Sequence, residues 1–416
     1  MIRFIHTADI HFGMENYGKI DPQTGIHSRL LDFKKSFDIC VDYAIEHHVD
    51  LFVFAGDAYK TANPSPTQQK LLMQSFMRLY KANIPVVIVV GNHDNPLSFG
   101  KANALDIFAH LPIDGFHVCA KPEILTIQTK SGPVQIVGIP WPNRHHLALN
   151  AVHAFTSSIE LTDHISQTVA SIIANFAQKL DSTIPAILIG HLTVSSGIFS
   201  GSEKRAVYGN DPIFLPSQLA IKPFDYVALG HLHRFQNVNP GGAIPIVYSG
   251  SIDRIDFGER KETKGFCDVN IHEKQKTTFK HIEIQTRPFI QIDVALNDLQ
   301  DQTEQILTAM NKHVLTDAIV KITYEIPATS TDNVDVKRIQ KQCTEAMHIV
   351  GIIPIRNAQT RAHRDLLKQE MNLETLLQTY FDADERLKKR TNSLTQKALN
   401  LDNIAQIYEK DEMVES

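Results

Sequence analysis

Positive charge is in short supply. Forty-one lysines and arginines against 46 aspartates and glutamates leave a net charge of −5 over 416 residues, so the chain as a whole does not attract nucleic acid by its field. Any such contact needs a local basic patch, a bound metal or another subunit. Cysteine is equally sparse. Cys40, Cys119, Cys267 and Cys343 are scattered with no CxxC spacing, which reads as buried thiols in a reducing compartment rather than a disulfide framework. No run of about 18 apolar residues occurs, so no membrane span is expected. The apolar start, Met1 to Ile5, is too short for a secretory h-region. The expected location is the cytoplasm.

Apolar residues make up 43% of the chain, ordinary for a globular protein. The length exceeds one ordinary core, so two or more domains are expected. Short apolar runs at Ile2–Ile5, Leu51–Ala55, Pro85–Val90, Ala186–Ile189 and Tyr226–Leu229 read as buried strands. Between them, Leu30, Phe33, Phe37, Val41, Ala44 and Ile45 share one helical face, as do Leu71, Leu72, Phe76, Leu79 and Tyr80. This alternation predicts a layered α/β domain over residues 1–280. From about 286 to 357 the pattern changes to strand, helix, strand, helix, strand: Phe289–Ala295, Leu299–His313, Ile319–Ile326, Val334–Met347 and Ile352–Ile355. That unit reads as a small α+β domain. Over 362–410 strands disappear. Leu366, Leu367, Leu373, Leu376, Leu377, Tyr380 and Phe381 predict one amphipathic helix and Leu394–Tyr408 another, packed either on their own protein or on a partner.

The 20 histidines matter through their placement. Five polar clusters end five of the predicted strands: Asp9-Ile10-His11, Gly56-Asp57, Gly91-Asn92-His93-Asp94, Gly190-His191 and Gly230-His231-Leu232-His233. In an open α/β sheet the carboxyl ends of strands form the ligand crevice, so residues from 9 to 233 can converge. Oxygen and imidazole donors suit manganese, iron or zinc. Seven candidates, Asp9, His11, Asp57, Asn92, His191, His231 and His233, are too many for one tetrahedral ion and suit two ions sharing a carboxylate. Two cations roughly 3.5–4 Å apart clamp both oxygens of an in-line phosphoryl displacement and generate hydroxide near neutral pH. Two dications against two aspartates leave the site positive, which meets the objection from net charge. His93 is assigned as general acid and Asp94 as its orienting partner. Asp-x-His alone is as often structural as not. A specified tetrapeptide such as Gly-Asn-His-Asp, however, arises by chance at about one position in 10^5.

These clusters resemble the signature motifs of the calcineurin-like metallophosphoesterases. A narrower resemblance, to the SbcD-type nucleases of DNA repair, is carried by the opening Phe4-Ile5-His6-Thr7-Ala8-Asp9-Ile10-His11-Phe12-Gly13 and by Pro64-Ser65-Pro66. Tyr248-Ser249-Gly250-Ser251, Arg254 and Phe257-Gly258-Glu259 carry it further. The resemblance implies a β-sandwich core flanked by helices, a capping domain that binds DNA, and a helical tail docked on an SbcC-type, SMC-like ATPase. It implies a homodimer within a heterotetramer. It places one ion on Asp9, His11, Asp57 and His233 and the other on Asp57, Asn92, His191 and His231, with Mn2+ the usual metal. The implied activity is 3′-to-5′ exonuclease and single-strand or hairpin endonuclease.

One position departs from the family. Three residues after Asp57, where relatives often carry histidine or aspartate, stands Lys60, either against a phosphate or in solvent. Arg254, Arg260, Lys261 and Lys264 form a basic cluster suited to a phosphate backbone. Asp253, Asp256, Glu259 and Glu262 make a salt-laced loop equally plausible. His6 is expected to be packed, and His145-His146 are candidate groove residues. The rival readings are a metallophosphoesterase acting on a small phosphodiester or phosphoprotein, and a scaffold for an ATPase without catalysis.

Overall fold

The computed structural model describes residues 1–96, 101–142, 157–201, 211–297, 299–327, 330–356, 373–382 and 387–400. These divide into two compact units. One comprises Met1–Gln291, Val314–Lys321 and Thr344–Val350, and the other Ile292–His313, Ile322–Cys343 and the described part of Gly351–Ser416.

The first unit is built on two six-stranded sheets. In the first, β1 (Ile2–Thr7), β2 (Leu51–Phe54), β3 (Val86–Val89) and β4 (Phe116–Cys119) run parallel. The second holds an antiparallel pair, β5 (Glu123–Thr129) and β6 (Gly132–Ile139), followed in sequence by β7 (Ala186–His191). The two-residue strands β8 (Thr193–Val194) and β9 (Ile213–Phe214) pair apart from both. Next come β10 (Tyr226–Gly230), β11 (Gln236–Asn237) and β12 (Ile246–Tyr248) of the second sheet, whose order is β11-β12-β10-β7-β6-β5. The chain then returns to the first sheet as the antiparallel pair β13 (Lys264–Glu273) and β14 (Lys276–Ile284), with β13 against β1.

Period-two alternation sorts the side chains between layers. Leu51 and Val53 of β2 enter a core shared by both sheets, together with Phe4, Val87, Val89, Ile187, Ile189, Tyr226 and Ala228. Phe52 and Phe54 face the opposite way, onto helices α1 (Ser28–Glu46) and α2 (Pro66–Lys81). There Phe37 packs edge-on against Phe52, Phe54 and Phe76 at centroid distances of 6.1, 6.3 and 5.6 Å. Burial of each such ring contributes about 1.5–3 kcal/mol. Helix Ser158–Lys179 covers the outer face of the second sheet through Ile165, Val169 and Ile173. The result is a β-sandwich with helices on both outer faces, the layered α/β architecture expected from the sequence. Both helical faces read from spacing are buried as predicted, save that Ile45 is half-buried and Tyr80 exposed. Strands β4–β6 and β11–β14 were not singled out by their apolar pattern.

Strands β15 (Phe289–Ala295), β16 (Ile319–Ile326) and β17 (His348–Arg356) form a three-stranded sheet in that order. Within the second unit, helices Gln302–Met310 and Val336–Gln342 start at aspartate N-caps. Asp301 accepts from the N–H of Glu304 at 2.9 Å and Asp335 from that of Arg338 at 3.0 Å, each a typical cap interaction. Both helices are shorter than predicted, and β17 begins four residues earlier than Ile352. Helix Leu373–Asp382 leaves Leu373 and Tyr380 exposed, and residues 391–400 are helical. Leu366, Leu367 and the end of the second tail helix lie outside the described residues. No described helix is long and apolar enough to cross a membrane.

Candidate metal centre

All five polar clusters sit at the carboxyl ends of parallel strands: after β1, β2 and β3 in one sheet, and at the ends of β7 and β10 in the other. The loops lock together through backbone hydrogen bonds from Asp9 N–H to Gly56 O (2.9 Å) and from His11 N–H to Asp57 O (3.1 Å). The His231 N–H points at both carboxylate oxygens of Asp9, 3.1 Å from each. Asp9, His11, Asp57 and His231 all have positive φ, at 54°, 53°, 56° and 100°. Such backbone is uncommon outside glycine and costs conformational energy, so the surrounding fold must hold it. Gly230 is required for another reason: a Cβ there would overlap the carbonyl oxygen of Ala55. The glycines before the polar residues thus allow loop to approach loop.

The seven candidate ligands meet in one place. Donor atoms of Asp9, His11 and His233 lie within 4.8 Å of one another, as do those of Asp9, Asp57 and His191. His11 Nε2 and His233 Nε2 are 3.0 Å apart. Asn92 Oδ1 is 2.9 Å from His191 Nε2 and 3.2 Å from His231 Nδ1. Between these groups stands Asp57, whose Oδ2 is 3.7 Å from His11 Nε2 and 3.3 Å from His191 Nε2. One carboxylate oxygen therefore borders two sets of donors.

The outer nitrogens of three imidazoles are committed elsewhere. His191 Nδ1 donates to the Ala55 carbonyl at 2.8 Å, and His233 Nδ1 to Glu259 Oε1 at 2.9 Å. His231 Nε2 donates to Asp211 Oδ2 at 3.1 Å. This is how metal-binding histidines are commonly held, with the second ring nitrogen fixing tautomer and orientation. It leaves the His231 Nδ1 lone pair facing Asn92 Oδ1, a contact between two acceptors that a bound cation would make favourable. The electrostatics agree. Burial, against the pull of His191 and His233, pushes the Asp9 carboxyl up to about 7. At His191, burial is outweighed by Asp57 and Asp9, and the imidazole is raised to about 9. Asp9 and His191 are thus biased toward holding a proton, whereas burial lowers His11 and His231, and the donor set fits a divalent ion.

Residues 2–235 match the family model described as calcineurin-like phosphoesterase. The chain belongs to the calcineurin-like phosphoesterase family. It is 27% identical over 314 residues to the SbcD subunit of the SbcCD nuclease of Staphylococcus saprophyticus, covering 75% of this chain and 76% of that protein. Among solved structures it is similar to a dimetal phosphatase from Danio rerio, at 10% identity and a TM-score of 0.39, covering 67% of this chain and 98% of the other. A Thermus thermophilus protein compares at 10% identity and 0.37, with the same coverage.

Some site residues of this phosphoesterase are placed differently from expectation. Asp94 does not orient His93. Its carboxylate is fully buried and accepts from the N–H groups of Ala58, Tyr59 and Gly91 at 3.3, 3.1 and 3.2 Å, tying two metal loops together. His93 Nδ1 is instead 2.9 Å from the carbonyl oxygen of Lys60, and its backbone N–H donates to Asp57 Oδ1 at 2.9 Å. The ring lies edge-on to His11. Adjacent residues in a loop point to different sides, so sequence adjacency misled.

Arg254 is also a correction. Its half-buried guanidinium is spent on Thr286 Oγ1 and the carbonyl of Glu262, and burial holds it below the usual arginine range. Lys264 is buried, 2.8 Å from Glu259 Oε2, so the basic cluster is largely an internal salt network. Lys60 is exposed, with its backbone anchored to Phe12. His6 is packed, as expected, against Tyr226 and Leu229, and His145 and His146 lie outside the described residues. The sequence pattern assigned no role to Asp211 or to Trp141, which packs 4.7 Å from the His231 ring and 6.1 Å from that of His191. Glu259 was read as part of a resembling motif and as one acid of a salt-laced loop, not as the partner of His233.

Proposed function

We propose that this phosphoesterase is a DNA nuclease that uses two divalent ions, Mn2+ by preference, and serves as the catalytic subunit of an SbcCD-type double-strand-break repair complex. The observation that carries the two-ion reading is Asp57 Oδ2, set between His11 Nε2 and His191 Nε2. The DNA assignment rests on the likeness to the staphylococcal SbcD nuclease across three quarters of both chains. Asp9, His11, Asp57 and His233 would hold one ion, and Asp57, Asn92, His191 and His231 the other. When bound, such a pair supplies Lewis-acid stabilisation of a phosphodiester and an activated water.

The protein's own groups complete the chemistry. His93 is the general acid for the leaving oxygen. Its Nδ1–H is held by the Lys60 carbonyl, so the proton an imidazolium can give up is on Nε2. Lys60, on the loop after β2, carries an exposed side chain and contacts a substrate phosphate. Residues 286–357 act as a DNA-binding cap, 362–410 dock on an SbcC-type ATPase, and the chain works as a homodimer in a heterotetramer in the cytoplasm.

The test is cleavage of hairpin and 3′-end-labelled duplex DNA with Mn2+, beside a chromogenic phosphodiester. Metal-dependent cutting of DNA with 3′-to-5′ polarity supports the reading. Turnover of the small diester with DNA untouched sinks it. Two bound ions without turnover of either would leave a scaffold.

A further inference from the structure

The ion pair Glu259–Lys264 has no place in the chemistry above, yet both side chains are fully buried, with Oε2 and Nζ 2.8 Å apart. A buried ion pair is weak support for stability, because desolvating two charges offsets most of their attraction. Its partners show what it does. Glu259 Oε1 accepts from His233 Nδ1 at 2.9 Å, and Oε2 accepts from the Ile255 N–H at 2.9 Å. Lys264 Nζ donates to the His233 carbonyl at 2.9 Å, to Ser251 Oγ at 2.9 Å and to Glu262 Oε2 at 3.1 Å. One ion pair therefore grips both the ring and the main chain of His233. Another buried ionic cluster of this unit behaves differently: Arg29 bonds to Asp32 and the Arg254 carbonyl, and neither contact involves one of the seven candidate ligands.

We propose that Glu259, held by Lys264, is a positioning residue that keeps the Nδ1–H of His233 on its own carboxylate and the Nε2 edge turned to His11, 3.0 Å away, and so sets the affinity of the first ion position. This rests on the two-ion reading above. A carboxylate behind a ligand imidazole fixes the tautomer that binds metal and increases ring basicity, and loss of such a partner typically lowers metal affinity about 10- to 100-fold. Lys264 Nζ, 2.8 Å from Oε2, fixes the carboxylate in place beside the ring. Glu259→Gln keeps the shape and an acceptor oxygen but removes the charge. Glu259→Ala removes the hydrogen bond as well. In Glu259→Gln, Lys264 retains Glu262 as a counter-ion, so no lone buried charge is created.

The full-length protein is stripped of metal and titrated with MnCl2. Bound manganese is counted after equilibrium dialysis, and the spin-coupled two-ion signal is followed by electron paramagnetic resonance. Wild type is expected to take up two ions. Glu259→Gln should lose about 10- to 100-fold in affinity at one position, with the other unchanged and the coupled signal appearing only at higher manganese. Glu259→Ala should lose at least as much. Two ions bound with wild-type affinity in both variants would overturn the proposal, as would an effect confined to the melting temperature of the metal-free protein. Should Glu259→Gln fail to fold, the paired variant Glu259→Gln/Lys264→Met removes both charges and is read in the same way. No DNA enters the measurement. A wild type that binds two ions and cuts no DNA defeats the nuclease reading alone, and unaltered variants beside an active nuclease defeat this one alone.

Discussion

His93 Nδ1 lies 2.9 Å from the carbonyl oxygen of Lys60, so the main chain of the loop after β2 orients the imidazole at the end of β3. The neighbouring acid, Asp94, faces inward to three backbone N–H groups. Orientation of an imidazole and bracing of the loops thus fall to two residues that are adjacent in sequence.

Replacing His93 with alanine should leave the manganese count at its wild-type value and lower kcat about 10²- to 10⁴-fold, the usual range for a general acid. KM for DNA should change little. Metal counting beside single-turnover cleavage checks this; unaltered cleavage removes His93 from the mechanism.

Lys60→Ala should weaken DNA binding evenly across sequences and reduce the slope of log affinity against log salt by about 1, the signature of one lost phosphate contact. Arg254→Ala should leave that slope intact and destabilise the fold instead, because it strands Thr286 and the Glu262 carbonyl, by about 1–3 kcal/mol. Fluorescence anisotropy over a salt series, beside denaturant melts, separates the two. A changed slope in Arg254→Ala would return that residue to the DNA surface.

Acid should destabilise the protein partly through His6. Burial outweighs the Leu229 carbonyl and lowers this imidazole from 6.5 to about 3. The unfolded state therefore binds the extra proton first as pH falls through 6.5. Stability rises with pH across the window from 3 to 6.5 and is lost in the reverse direction, by about 2 kcal/mol between pH 7 and pH 5 for this group. In the metal-free protein, His6→Gln should lose about that much less than wild type over the same interval. Equal losses in urea melts would contradict it.

Removing metal should lower the melting temperature, and restoring Mn2+ should reverse the change. Binding to the folded state alone adds about 2.7 kcal/mol at 100 times Kd. Calorimetry with a chelator and then with graded Mn2+ measures it. A melting temperature indifferent to manganese would show that the seven side chains do not hold the ion.

The strands ending in the five clusters were legible because they are largely buried on both faces and read as short apolar runs, unbroken in Phe52–Phe54 and Val86–Val89 and interrupted only by Arg3 in the first. Strands β5 and β14 carry mixed faces and ran below that signal. The helix predicted at Val334–Met347 ends at Gln342, and β17 starts at His348, because local propensity sets such ends poorly once tertiary pairing competes.

The order of the clusters, their ligand chemistry and their place after apolar runs are properties of the chain itself, since residue type and spacing determine which atoms can reach a strand end. The orientation of His93 by a carbonyl, the burial of Lys264 and the hydrogen bonds of Asp211 to His231 and Glu259 to His233 depended on contacts between residues 20 to 33 positions apart. No local pattern encodes such meetings. They exist only once the sheets have packed and the loops have closed on one another.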